Sequence, residues 1–438
     1  MENSTETDLS AGARGRMPWC ANPFVEWLLA EGAGIASAGH LIDGLCRRLR
    51  DGGIPLWRLF LLVRTLHPEV FAISYTWRLG EGVRELAAPH GVLDSALHRE
   101  SPCAALFDGA AAIRRRLDVP EPKLDFPVLR ELSADGATDY VAMPLSFSDG
   151  QINVISVTAD RAGGFTTAQL AQIEEMLPAL ARLLELQNMR RVAATLLETY
   201  LGRQTGERVL RGLVRRGDGE NVRAVIWFCD LRDSAALASS MTPQAFLGVL
   251  NAFFDCMVGA ILERGGEVLR FIGDAVLAIF PTARDWDPDG ERCCSSPAAR
   301  ANALAAARDA WARMDALNEG RRKRGEAPLR FGLALHEGDV FYGNIGVPGR
   351  LEFTVIGNAA NEAARIEALC KTLDQPILVS AALARRVSAP WISLGSHVLR
   401  GVSEPQEIFA LPRGGPSPGG AASSRSAAPA AEIPDATG

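Results

Sequence analysis

Two largely apolar runs, Glu267–Ile272 and Ala275–Phe280, stand on either side of Gly273-Asp274. Six-residue runs split by a Gly-Asp pair read as the strands and turn of a β-hairpin. A third run, Ala224-Val225-Ile226-Trp227-Phe228, leads into Cys229-Asp230-Leu231 and reads as a buried strand. One carboxylate therefore closes a strand, and another, 44 residues later, sits at a hairpin tip. Carboxylates at such places can converge on a divalent cation, and hard oxygen ligands suit Mg²⁺ or Mn²⁺ and phosphate chemistry. Taken singly, Asp230 reads more readily as a helix cap and Asp274 as a turn residue, because Asp is favoured in both places. The rest of the chain has to decide between these readings.

A chain of 438 residues has room for two or three domains with proper cores. A hydrophobic share of 47% and a charged share of 22% are those of an ordinary globular protein. The formal charge of −6 argues against a general binder of nucleic acid or membrane surfaces. No apolar stretch is expected to reach the ~18–20 residues of a spanning helix, and the polar first twenty residues have no signal-peptide core. The eight cysteines are scattered without zinc spacing, as expected of reduced thiols in a cytoplasmic protein.

Residues 1–20 and the Gly/Pro/Ser/Ala-rich 413–438 read as disordered ends. Val25–Arg50 has helical apolar spacing, Leu56–Val63 and Ala72–Trp77 read as strands, and a helix-rich middle follows. Tyr140–Leu145 and Gln151–Val157 alternate across Asp149-Gly150 as a hairpin. Gly163-Gly164-Phe165-Thr166-Thr167 then opens a helix to about Tyr200, with Pro178 inside it. This order, over residues 21–165, resembles a GAF-like sensory domain, which implies a pocket for an unknown small ligand; a dimerising spacer is the plainer alternative. Residues 166–220 read as signalling helices, including a short one over Glu207–Val214. Beyond them, Thr242-Pro243 caps a helix through Glu263, and Thr282–Pro297 is a polar loop. Ala298–Gly320 is a helix whose basic end, Arg321-Arg322-Lys323-Arg324, reads as solvated. Leu329–Leu335 and Val340–Ile345 read as a strand pair turning at Glu337-Gly338-Asp339. Phe353–Ile356 is a strand and Ala359–Thr372 a helix.

Trp227–Asp233, Leu269–Phe280, Gly338–Gly346 and Glu352–Glu367, in that order, resemble the class III nucleotidyl cyclase domain. The resemblance covers 221–412 and implies an α+β, ferredoxin-like (βαββαβ-type) catalytic domain behind a GAF-like α/β domain and a connecting helix. It implies attack of a ribose 3′-oxygen on the α-phosphorus, with two Mg²⁺ or Mn²⁺ ions per active site. Asp230 and Asp274 would be the metal carboxylates, joined by the carbonyl of Leu231. Asn361 and Arg365, four apart on one helix, would orient the ribose and stabilise the transition state. Arg270 and Thr354 would select the base, and Arg400 would contact the triphosphate. Adenylyl members carry Lys where Arg270 stands, but Arg remains a donor-only cation and no guanine-accepting Glu is present there, so ATP is favoured. His336 is expected to have a core or interface role. The family places the metal carboxylates and the remaining site residues on opposite subunits, so the resemblance implies a homodimer with shared sites, in which the connecting helix controls subunit orientation. The rival readings are a guanylate cyclase and a catalytically weak nucleotide-binding regulatory module. A diguanylate cyclase is disfavoured, because its Gly-Gly-Asp/Glu-Glu-Phe run is missing.

Overall fold

The computed structural model describes residues 22–284 and 297–412. The expected disordered ends and most of the expected polar loop lie outside the described residues. The chain divides into two compact units on either side of Leu196 and Leu197.

The first unit contains α1 (Pro23–Ala30), α2 (Ala38–Asp51), β1 (Leu56–Arg64), β2 (Val70–Arg78), β3 (Gly82–Pro89), α3 (Ala96–Arg99), α4 (Pro102–Phe107), β4 (Ile113–Arg116), α5 (Pro127–Ala134), β5 (Asp139–Ser146) and β6 (Ile152–Ala159), and most of α6 (Thr167–Leu201). The strands form one antiparallel sheet in the order β3-β2-β1-β6-β5-β4. Alternation splits β1 between two cores. Leu59, Leu61 and Val63 pack with α1, α2 and α6 through Trp27, Leu45, Ile173 and Leu180. Leu62 packs on the opposite face with Leu106, Leu129 and Leu132 of α4 and α5. The single helix expected over Val25–Arg50 is two helices, broken by a short 3₁₀ turn at Gly32–Gly34. The expected helix-rich middle also holds β3 and β4, whose short or polar sequences lack an apolar strand signal.

The second unit opens with the end of α6 and with α7 (Arg203–Leu210), then β7 (Gly219–Leu231), α8 (Ser234–Ser240), α9 (Pro243–Glu263), β8 (Glu267–Ile272), β9 (Ala275–Arg284), α10 (Pro297–Lys323), β10 (Phe331–Val347), β11 (Arg350–Ile356), α11 (Asn358–Thr372), β12 (Ile377–Ser380), α12 (Ala381–Ala384), β13 (Ile392–His397) and β14 (Gln406–Ala410). The sheet runs β13-β14-β12-β10-β7-β9-β8, and β11 pairs with β10. Its first part, β7-α9-β8-β9-α10-β10, is a βαββαβ unit with β7 and β9 at its centre. Val225, Trp227, Cys229 and Leu231 face α9 and α10, while Ala224 and Ile226 face α11 and β11 through Val340, Phe353 and Ala359.

Four expectations about this unit need correction. The strand pair around Glu337-Gly338-Asp339 is one continuous strand, β10, paired with β7 from Phe331 to Gly343. Gly338 is needed for space: a Cβ there would lie 2.4 Å from the Cβ of Ala359, so the glycine lets α11 dock. Glu337 is buried and ion-paired with Arg300 at 2.7 Å and Arg223 at 3.1 Å. The short helix expected over Glu207–Val214 begins at Arg203, because the single residue Gly202 is enough to break α6. Arg321 is buried, its guanidinium held by the Ala327 carbonyl at 2.8 Å and by Glu326 at 2.9 Å. Finally, α9 is long and apolar enough to cross a membrane by length and composition, with mean hydropathy 1.9. Here it buries Phe253, Met257 and Ile261 in the core.

Candidate active site

The site begins with the register between β7 and β9. Asp230 pairs with Ala275, the residue after Asp274, and Gly273 turns the hairpin at φ 63°. The tip carboxylate is thereby brought beside the strand-end carboxylate. Strand alternation puts Asp230 in the row of Ala224, Ile226 and Phe228, on the face away from α9 and α10. Leu231 points the other way and is 2% exposed, so only its backbone is left for the site.

The electrostatics are those of two acids held too close. The Asp230 carboxyl is pushed up to about 7, first by burial and then by the hydrogen-bonded, like-charged Asp274, with Glu367 adding and Arg232 opposing. Its Oδ1 is buried without a hydrogen-bond partner. An unpartnered buried oxygen on one of two neighbouring carboxyls fits a divalent cation, which would satisfy the oxygen and remove the repulsion. Among the described residues no group of three or more His, Cys, Asp or Glu is arranged to hold a metal, so the candidate donors are the two Asp side chains and the Leu231 carbonyl. A cavity of about 570 Å³ runs along Asp230–Ala235 and is edged by Arg322, Arg330 and Lys371.

The residues expected to select the base lie across the same sheet. Arg270 is on the edge strand β8, and its Nε is 3.0 Å from the carboxylate of Glu352 on β11. Thr354 follows two residues later on the same side of β11 and is buried, with its hydroxyl unpartnered. A buried hydroxyl without a partner is free to hydrogen-bond a polar ligand. Glu352 was not singled out from the sequence. Its place two residues before Thr354 was the available signal.

Asn361 is exposed and Arg365 half-buried, one turn apart on α11, whose Ala359, Ala363 and Ile366 face the core. The Arg365 guanidinium lies against Gly401, where an added Cβ would be 3.5 Å from it; the exposed Arg400 is adjacent in the chain. The structure therefore brings Asp230 to Asp274, Arg270 to the strand of Thr354, and Arg365 to the Arg400 turn. Among the described residues no hydrogen bond or ion pair joins Asn361 or Arg365 to the two aspartates. His336 is buried, with Nδ1 2.9 Å from Ser380 Oγ and Nε2 3.5 Å from Glu362.

Residues 219–397 match the model of the adenylate and guanylate cyclase catalytic domain. An adenylate cyclase of Anabaena cylindrica is 34% identical over 178 residues, which are 40% of this chain and 32% of that protein. Adenylate cyclase 2 of Rhizobium meliloti is 29% identical over 202 residues, covering 45% of this chain and 52% of the relative. The chain thus spans about a third to a half of the length of these curated relatives. The crystal structure of the adenylyl cyclase CyaB from P. aeruginosa is 24% identical, covers 44% of this chain and 94% of that one, and superposes with a TM-score of 0.37. The matched stretch opens with β7, takes in the hairpin that carries Asp274, and runs on through α11. Residues 219–397 of this chain are a catalytic domain of the adenylate and guanylate cyclase family.

Proposed function

We propose that the chain is an adenylate cyclase, converting ATP to 3′,5′-cyclic AMP and pyrophosphate. The observation that carries the proposal is the pair Asp230 and Asp274, side by side, with one Asp230 oxygen buried and without a hydrogen-bond partner. Bound there, two Mg²⁺ or Mn²⁺ ions would supply Lewis acidity to the 3′-hydroxyl and to the phosphates. Asp230, Asp274 and the Leu231 carbonyl would hold those ions in place. The 3′-oxygen bonds to the α-phosphorus, the bond from that phosphorus to the β-phosphate oxygen breaks, and the hydroxyl proton leaves to water. Asn361 fixes the ribose, and Arg365, with Arg400 beside its turn, meets the charge that builds on the phosphoryl oxygens. Arg270 donates to adenine N1, and the Thr354 hydroxyl accepts from the amino group. Relatives named as adenylate cyclases support the choice of ATP.

We read Asn361 and Arg365, which make no hydrogen bond or ion pair to the aspartates among the described residues, as serving the site of a second copy, so that each site of a homodimer is shared. Exposed apolar side chains at the hairpin tip (Phe271, Ile272) and on the β10–β11 arm (Val347, Leu351, Ile356) supply a surface for a second copy. The sheet order of the first unit supports the GAF-like reading of 21–165 as a regulatory domain, with 166–220 passing its state to 221–412. A cavity of about 170 Å³ between α2, β1–β3 and α6, edged by Ser37, Tyr75, Glu85, Gln187 and Arg191, is the candidate place for its small ligand. Free thiols at Cys46, Cys103, Cys229, Cys256 and Cys370 support a cytoplasmic setting.

The test is direct. Purified protein is incubated with ATP or GTP and with Mg²⁺ or Mn²⁺, and cyclic nucleotides are separated by chromatography. Cyclic AMP in excess over cyclic GMP is expected. The reverse ratio would make it a guanylate cyclase, and no cyclic nucleotide under any condition would sink the enzyme reading.

A further inference from the structure

The segment that leads into the catalytic domain is fastened to the sheet by buried polar groups. Thr205 of α7 is 1% exposed, and its hydroxyl lies 3.1 Å from Glu267 Oε1 and 2.6 Å from Tyr342 Oη. Tyr342, in β10, donates to the same Glu267 oxygen at 2.5 Å. Glu267 opens β8 and is itself buried, and its second oxygen has no hydrogen-bond partner. One turn further along α7, Arg208 lies 4.9 Å over the Tyr342 ring and pairs with Glu220 of β7 at 2.6 Å. The polypeptide after α7 is held as well: Asn344 of β10 donates to the Leu213 carbonyl at 2.9 Å and accepts from the Gly217 amide at 3.0 Å.

A buried carboxylate is tolerated only while donors replace the water it has lost. Here two hydroxyls do so at one oxygen, and the other oxygen is already bare. If α7 moves, Thr205 leaves Glu267 short of a donor, so either β8 follows α7 or the network opens. β8 is a six-residue edge strand bonded on one side to β9, with a register irregularity between Val268 and Arg270. Of β7, β8, β9 and β10 it alone is bonded to a single neighbour. It also carries Arg270 three residues after Glu267, and it ends at the turn that holds Asp274.

We infer that Thr205, Glu267 and Tyr342 are positioning residues: through them α7 sets the place of β8, and with it the reach of Arg270 toward the purine. The purine part rests on the cyclase reading above; the mechanical part does not. The test uses the full chain and Thr205→Val, which keeps the side-chain volume and removes the hydroxyl, with Thr205→Ser as rescue and Tyr342→Phe removing the other donor.

Hydrogen exchange read by mass spectrometry should show β8 amides exchanging about tenfold faster in Thr205→Val, the order expected for losing a hydrogen bond to a charged acceptor. Peptides of β12 and β14 should be unchanged, and Thr205→Ser should restore β8. In the same variants the KM for ATP should rise severalfold and the ATP-to-GTP preference should fall. If the wild type forms no cyclic nucleotide, the affinity for a fluorescent ATP analogue replaces KM, and the exchange result stands by itself. Wild-type exchange in β8, or equal acceleration across the sheet, would overturn the inference. So would a loosened β8 with unchanged nucleotide affinity and purine preference.

Discussion

His336 offers a quantitative check on how the catalytic domain is packed. Its ring sits mid-strand in β10, 5% exposed, against Ser380 and Glu362, with Glu337 and Arg223 as the other charges that act on it. Burial pushes it down from 6.5 to about 4, with Glu337 opposing and Arg223 assisting. The folded state therefore binds this proton less readily than the unfolded chain does. Stability is unaffected above the unfolded value and is lost as pH falls from about 6.5 toward 4. The full shift corresponds to about 3 kcal/mol, of which about 2 kcal/mol has gone by pH 5. For a unit of this size that is roughly 4–8 °C in Tm. His336→Gln keeps a hydrogen-bonding side chain and cannot titrate. Urea unfolding of both proteins at pH 7.5 and pH 5.0 gives a double difference in which the other titrating groups, Asp230 included, largely cancel. Wild type should lose about 2 kcal/mol more than the variant. An equal loss in the two proteins would mean that the folded ring takes up its proton freely, and would refute the burial argument.

Other substitutions probe the site and its frame. Glu337→Ala leaves Arg300 and Arg223 facing a void where their buried partner stood, and should cost about 3–5 kcal/mol in chemical denaturation; less than 1 kcal/mol would deny the cluster a structural role. Arg270→Ala should raise the KM for ATP by roughly 10- to 100-fold, the cost of a charge-assisted hydrogen bond, and an unchanged KM would remove Arg270 from the purine site. Arg365→Ala should lower kcat by about 10²–10³ with a much smaller change in KM, as for a group that acts on transition-state charge. Chelation by EDTA should abolish product formation and added Mn²⁺ should restore it; persistent activity would contradict the role given to the two aspartates.

What could be read from the sequence was local, and what could not depended on register or long-range packing. The hairpin around Gly273-Asp274, the strand ending at Asp230, and the helix capped by Thr242, whose hydroxyl accepts from the Ala245 amide at 3.3 Å, are all written in neighbouring residues. Gly338 misled because a glycine between two acids looks like a turn; its actual reason, the approach of α11, lies twenty residues away in the chain. Glu337 read only as part of that turn because its partners Arg223, Arg300 and Arg386 are scattered through the sequence. The same holds at the site. Spacing placed each carboxylate on its own element, but only the β7–β9 register puts them side by side, where burial first and Asp274 second push the Asp230 carboxyl up. The Arg270–Glu352 pair escaped notice because β8 and β11 meet without being bonded neighbours in the sheet.

The central claim is that one copy of the chain supplies Asp230 and Asp274 while a second supplies Asn361 and Arg365. Mixing Asp274→Ala protein with Arg365→Ala protein tests it most directly. Each variant alone should be nearly inactive, and equimolar mixtures should regain cyclic AMP formation from one intact composite site per heterodimer, about a quarter of wild-type activity at random pairing if each intact site works independently. Mixtures that stay as inactive as their components, while size-exclusion chromatography shows that the two chains have exchanged partners, would contradict the shared site.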